Sequence, residues 1–425
     1  MALAAVALTA GPVQPAKASQ DPFFPAQWNL QQIGAPAAWA RSTGAGVRIG
    51  IVDSGVFSSQ EDLAGKVVAA TDCINTGGDP GACHGSGQDD SGHGTHMAGI
   101  AAAAKDNGRG IAGIAPDAQL VVARVLTNNG GLIVDVEAGV RWAVQHGAKV
   151  VNLSVADNPL AQRPLDLSFQ SAVEEAWAAG VVPVVAAGNV NSLGPGREDF
   201  ASLDALVVGA TNVSGVLAAY SNPLLGTKWG VVAPGGSAKG DRNDVVSTWR
   251  DSTAPGATNL YAYRGGASVA AAHVSGVVAL LLAEGLSPAE AVQRIVATAR
   301  PTACGPGCHG EVDAAAAVGP APAPVEVHAA AATAPAPVTT EPTPSTTTQL
   351  STTTSATGLP ASPPAAPQVA LGELGPLVGQ RAAPTTGGGG FFYNRWGVGW
   401  ALVAIFGGVA LFVFVRRRYA DSGLP

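Results

Sequence analysis

Short apolar, β-branched runs alternate with helical stretches between Val47 and Thr211, and this alternation restricts the fold more than any other feature of the chain. The runs are VRIGIV (47–52), QLVVARVL (119–126), AKVVNLSV (148–155), VVPVVAAGN (181–189) and ALVVGAT (205–211). A strand buried on both faces needs such unbroken Val and Ile runs, and parallel sheets bury both faces. Helical patterns at 134–145 and 167–179 lie between them, which is the rhythm of βαβ units. We therefore expect an α/β domain, a mainly parallel central sheet with helices on both faces. Function in such sheets sits at the carboxyl ends of the strands. Later, Ser268–Ala283 reads as a buried helix opening after Gly265-Gly266, and Ser287-Pro288-Ala289-Glu290 carries the signals of a capped helix start.

Composition sets the boundaries of this domain. Apolar residues of varied size, enough for a large core, are confined to about 27–318, within an expected domain of 19–318. The segment 319–390 is almost wholly Ala, Pro, Thr, Ser and Gly, cannot offset its chain entropy by burial, and is expected to be a disordered, partly extended linker. WGVGWALVAIFGGVALFVFV (396–415) has the length and lack of charge of a bilayer-spanning helix, with Tyr393, Trp396 and Trp400 at one end and Arg416, Arg417 and Arg418 at the other. We expect a transmembrane segment over 391–415, a cytoplasmic tail over 416–425, and the large domain outside the cell membrane. At the other terminus MALAAVALTA precedes Ala16-Lys17-Ala18, a small-residue cleavage pattern, so residues 1–18 are expected to be a signal peptide, truncated because no basic residue precedes the apolar run.

The net charge is −7 with 23 basic residues, few of them clustered, which excludes a nucleic-acid partner. Cysteines fall in two close pairs, Cys73 with Cys83 and Cys304 with Cys308. On an exported chain an even count reads as disulfides rather than as thiols or a zinc site. Three connectivities are open, and local pairing closes short loops at little entropic cost.

Four segments carry chemistry: IVDSGV around Asp53, GHGTHMAGIAA around His93, VVAAGN ending at Asn189, and GGASVAAAHVSG around Ser268. A serine nucleophile needs a base, a carboxylate to orient that base and donors for an oxyanion, and this set supplies each. The four blocks, in this order, resemble the catalytic and oxyanion blocks of the subtilisin family, above all its thermitase-like members, over about 21–318. The resemblance implies a subtilisin-like three-layer fold and a serine endopeptidase acting on polypeptides. In that reading Ser268 attacks, His93 moves the proton, Asp53 orients the imidazole, and the Asn189 amide with the Ser268 N–H stabilises the oxyanion. It also implies that substrate binds as an added strand between Asn129-Gly130-Gly131 and Ser154-Val155-Ala156, with Ala186, Ala187 and Gly188 lining the primary pocket. His96 and His273 are expected to pack inside helices, and His84, His146, His309 and His328 match no functional position.

A structural calcium ion is implied too, held by Asp21, Asp62 and Asn107 with the carbonyls of Ala104, Arg109 and Ile111, a hard-oxygen set suited to that ion. Departures from the family pattern are Ala267 and Val269 beside the serine, Ala272 in place of a proline and Ala156 in place of a glycine; these bear on rate and specificity. The layout of signal, protease, proline-rich linker, single helix and short tail is similar to that of mycosins, which implies a secretion-system partner. Two rival readings are less favoured by the residues. An inactive subtilisin-fold scaffold for an exported partner is opposed by the intact triad. A lipase or esterase needs a GxSxG elbow, and alanine follows Ser268 at the final position.

Overall fold

A computed structural model describes residues 18–128, 130–154, 167–189, 200, 203–254, 256–319 and 380–381. Eleven strands and eight α-helices are found among them, in chain order α1 (Trp28–Gln32), α2 (Ala35–Ala38), β1 (Arg48–Asp53), β2 (Val67–Asp72), α3 (His93–Ala102), β3 (Gln119–Arg124), α4 (Ile133–Gln145), β4 (Val150–Leu153) and α5 (Leu167–Ala178). Then come β5 (Val182–Ala186), β6 (Leu206–Thr211), β7 (Trp229–Pro234), β8 (Val245–Trp249), β9 (Leu260–Arg264), α6 (Ala267–Ala283), α7 (Pro288–Thr298), β10 (Cys308–Glu311), α8 (Ala314–Ala317) and β11 (Gln380–Arg381).

Eight strands form one sheet in the order β10-β7-β6-β5-β4-β1-β3-β2, every neighbouring pair parallel. Side chains alternate between two cores, as the pleat requires. Ile49 and Ile51 of β1 join Val184 and Val208 beneath α3 and α6, while Val52 joins Val121, Val151 and Leu153 beneath α4 and α5. This double coverage is why the runs lack polar alternation. Truncating the fully buried Ile51 to alanine should cost roughly 2–5 kcal/mol. A second sheet, β11-β9-β8, is antiparallel, and its strand β8 packs on α3.

The five expected strands are all present, but three stop early, β3 closing at Arg124. β4 closes at Leu153, and β5 closes at Ala186, where Gly188 with φ +93° turns the chain. Unread in the sequence were β2, β7, β10 and the antiparallel sheet. Ser287 caps α7 as expected, its hydroxyl accepting from the Glu290 N–H while the Glu290 carboxylate accepts from the Ser287 N–H. Both cysteine pairs are disulfides, Cys73–Cys83 and Cys304–Cys308. Among the described residues no helix is long and apolar enough to cross a membrane; 391–415, where the span is expected, lies outside them, as do the expected signal segment up to 17 and most of the linker.

Candidate active site

The strands β5, β4 and β1 are neighbours, and their carboxyl ends hold the candidate groups side by side. Asp53 is the last residue of β1 and fully buried. Its Oδ1 accepts from the Ser54 N–H at 2.7 Å and meets His93 Nδ1 at 2.7 Å. A carboxylate oxygen accepts only, so Nδ1 carries the proton and Nε2 is the basic nitrogen. The His93 side chain is 39% exposed, half open to solvent, while its partner is not.

Two glycines permit this meeting. Gly92 precedes α3 at φ +91°, and a Cβ there would lie 2.3 Å from the Arg250 carbonyl. Gly94, within the first turn of α3, faces the end of β1, and a Cβ would lie 2.1 Å from the Gly55 carbonyl. The HGTH spacing thus places the imidazole on a helix that only a bare backbone can bring so near Asp53.

Ser268 is the second residue of α6 and 6% exposed, and its Oγ lies 3.5 Å from the Ser154 carbonyl, the outer limit of a hydrogen bond. As a first-turn residue its N–H has no acceptor within the helix. Asn189 follows β5, and its Oδ1 accepts from the Ala267 N–H at 2.6 Å. An amide N–H cannot donate to an NH2 group, so this bond fixes which side-chain atom is oxygen and leaves Nδ2 as the donating end.

A buried relay missed in the sequence reading supports the serine. Ser275 Oγ donates to Asn152 Oδ1 (3.0 Å), Asn152 Nδ2 donates to Ser154 Oγ (2.9 Å), and Ser154 Oγ donates to the Ser268 carbonyl (3.3 Å). The signal was present: an asparagine inside VVNL is a polar group in a fully buried strand and must find partners.

The remaining expected positions are less uniform. Ser154 sits just past β4, whereas Val155, Ala156 and Asn129 lie outside the described residues. Gly130 exchanges both backbone bonds with Thr127, closing a tight turn, and a Cβ at Gly131 would strike the Val125 carbonyl. Ala186 and Ala187 are buried. The Ala187 and Gly188 carbonyls accept from the Asn222 side chain and N–H. His96 and His273 are fully buried, and desolvation pushes them down to about 3 and about 4, so both are neutral. His96 Nε2 faces the Ala262 carbonyl, and His273 bridges the Val269 carbonyl and the Asn29 amide.

The calcium candidates converge on one loop. Asp21 accepts from the N–H groups of Asp106 (2.7 Å) and Gly108 (3.1 Å). Asp62 accepts from the Asn107 amide, the Ile111 N–H and the Tyr261 hydroxyl, all between 2.8 and 2.9 Å. The Ala104 N–H donates to the Asp62 carbonyl, and the Arg109 N–H donates to Asn107 Oδ1. Both carboxylates are buried, and among the described residues neither is ion-paired with a lysine or arginine. Burial raises the Asp62 carboxyl above the usual range. Among the described residues no group of three His, Cys, Asp or Glu side chains converges, so a cation here would rely on carbonyl and amide oxygens as well.

An imidazole backed by a buried carboxylate at the end of β1, with a helix-start serine against the Ser154 carbonyl just past β4, is the architecture of a subtilisin-like serine hydrolase. Comparison with known proteins agrees. Residues 44–354 match the subtilase family, peptidase S8. The chain is 39% identical to thermitase of Thermoactinomyces vulgaris over 63% of its own length and 86% of that protein. It is 36% identical to a thermophilic serine proteinase of Bacillus sp. (strain AK1) over 64% of this chain and 61% of that one. A solved structure of a protease from Pseudoalteromonas arctica PAMC 21717 superposes with a TM-score of 0.61 at 28% identity, covering 71% of this chain and 99% of that one. The chain belongs to the subtilase family and is a serine endopeptidase with a subtilisin-like α/β fold.

Proposed function

We propose that peptide bonds are cut by Asp53, His93 and Ser268 acting as a triad, with Asn189 as an oxyanion donor, in a domain tethered outside the cell membrane. The observation that carries the reading is the 2.7 Å contact between His93 Nδ1 and the buried Asp53 carboxylate, at the strand ends where Ser268 and Asn189 also stand. With Nδ1–H committed to Asp53, Nε2 takes the Ser268 proton as the hydroxyl oxygen attacks the scissile carbonyl, and returns it to the leaving amine. Asp53 stabilises the imidazolium through its fixed, desolvated charge. The Asn189 Nδ2–H and the Ser268 N–H then receive the oxyanion, and water repeats the cycle on the acyl-enzyme.

A fluorophosphonate probe tests this directly. Wild type should be labelled and Ser268→Ala should not; a folded wild type that takes no label would instead favour an inactive scaffold binding an exported partner.

The substrate edges and pocket expected from the resemblance, 129–131, 154–156 and 186–188, are part of this reading, as is a calcium ion at Asp21, Asp62 and Asn107. What supports the ion is a hard-oxygen donor set and two buried carboxylates without a cationic partner among the described residues; bound, it would neutralise them and pin the 104–111 loop. The tether rests on the apolar length of 396–415 and its arginine flank, and a mycosin-like secretion partner rests on the layout alone. Fractionating cells that express the full chain or a chain ending at Gly390 tests the anchor: the full chain should sediment with membranes and the shortened one should not.

A further inference from the structure

Asp89 lies in the loop before α3 and is 5% exposed, with no role yet assigned. Its carboxylate takes six hydrogen bonds. Oδ1 accepts from Ser54 Oγ (2.9 Å), the Ser91 N–H (2.9 Å), the Gly92 N–H (2.9 Å) and, at the outer limit, Ser91 Oγ (3.5 Å). Oδ2 accepts from the Thr95 N–H (2.9 Å) and Thr95 Oγ1 (2.5 Å). The donors come from two separate elements. Ser54 belongs to the end of β1, and its N–H is the second donor to Asp53 Oδ1. Gly92 and Thr95 belong to the start of α3, on either side of His93. Ser54 Oγ also accepts from the Gly94 N–H at 2.9 Å, closing the circuit between strand and helix.

Resting on the triad reading above, we propose that Asp89 is a positioning residue that locks the Asp53 carboxylate and the His93 imidazole in register by clamping Ser54 to the first turn of α3. A buried carboxylate with six donors is held in one orientation, and it satisfies first-turn N–H groups that α3 cannot satisfy itself. No neutral side chain of that size offers as many acceptor sites. Asparagine would turn an NH2 group toward either Ser54 and Gly92 or Thr95, opening one half of the clamp.

The test is Asp89→Asn and Ser54→Ala, singly and together, in the full-length enzyme, with the active fraction counted by fluorophosphonate titration. Asp89→Asn should lower kcat per titrated site about tenfold to a hundredfold, the range for a sub-ångström to ångström misplacement, with KM changed less than about twofold. The double variant should be no worse than Asp89→Asn alone, because both changes open the same clamp. If kcat per titrated site stays at the wild-type value and only the yield of folded enzyme falls, Asp89 is merely structural and the proposal is overturned. Additive losses would overturn the route through Ser54. Should Asp89→Asn not fold, Ser54→Ala alone decides: a several-fold drop in kcat at constant KM is expected, and no drop refutes. Failure of the triad itself is seen separately, as wild type that takes no label at Ser268.

Discussion

Adding one methyl group at Gly94 tests whether the closeness of α3 and β1 sets the catalytic rate. In the native chain a Cβ at this position would lie 2.1 Å from the Gly55 carbonyl oxygen and 3.1 Å from Asp53 Cβ, against about 3.4 Å for ordinary contact. Gly94 is helical, so alanine strains no dihedral; the whole effect is steric, and the carbonyl it strikes is backbone that cannot rotate away. The start of α3 must therefore retreat by about 1.3 Å, which would stretch the 2.7 Å bond between His93 Nδ1 and Asp53 beyond hydrogen-bonding range. Overpacking of this kind costs typically 1–3 kcal/mol of stability, and a displacement of about 1 Å at reacting groups costs about a hundredfold in rate. We expect Gly94→Ala to fold with a lower Tm and to show kcat per titrated site reduced by about two orders of magnitude at nearly unchanged KM. Wild-type kcat in a folded Gly94→Ala enzyme would refute the argument that this approach aligns the pair.

Asn189→Ala should lower kcat about 10²–10³-fold with little effect on KM, the loss known for the corresponding kind of donor in subtilisin; a kcat within threefold of wild type would remove Asn189 from the mechanism. The buried histidines predict acid sensitivity. His96 and His273 stay neutral in the fold down to about 3 and about 4, while unfolded imidazoles bind a proton below about 6.5, so the unfolded state gains protons first and stability falls as pH drops through that window. Each should contribute up to about 3–5 kcal/mol of loss, and His273→Asn should flatten the denaturation-derived stability between pH 6.5 and 5; identical slopes would contradict this. Chelation of divalent cations should lower the Tm of wild type and leave that of Asp62→Asn unmoved, whereas an indifferent wild type would speak against a cation at Asp21 and Asp62.

The sequence was most legible where a residue's role depends on its own segment. Runs such as VRIGIV disclosed their strands because a doubly covered strand has no polar face, and Ser287 disclosed its helix start because a cap and its glutamate lie within one turn. The disulfides followed the same logic of short loops. Reading failed where the determinant was remote. β7 lies in WGVVAP, too short a run to separate from a loop until β6 pairs with it, and β8 and β9 exist because they pair with each other. Nothing in the segment DDSGHG separates Asp89 from its neighbour Asp90; its six hydrogen bonds do, whereas Asp90 is ion-paired with Arg124 near the surface.

By itself, then, the sequence determined a parallel α/β domain, the placing of five of its strands and the order of its chemical groups, because pleat, helix period and capping act over a few residues. It could not determine that Asp53 meets His93 across 40 positions or that Asn189 meets Ala267 across 78. Those distances follow from how α3 and α6 seat on β1, β4 and β5. That seating depends on bare backbone at Gly92 and Gly94 and on the buried polar bonds of Asp89 and Asn152, contacts that exist only once both sides of the chain are folded.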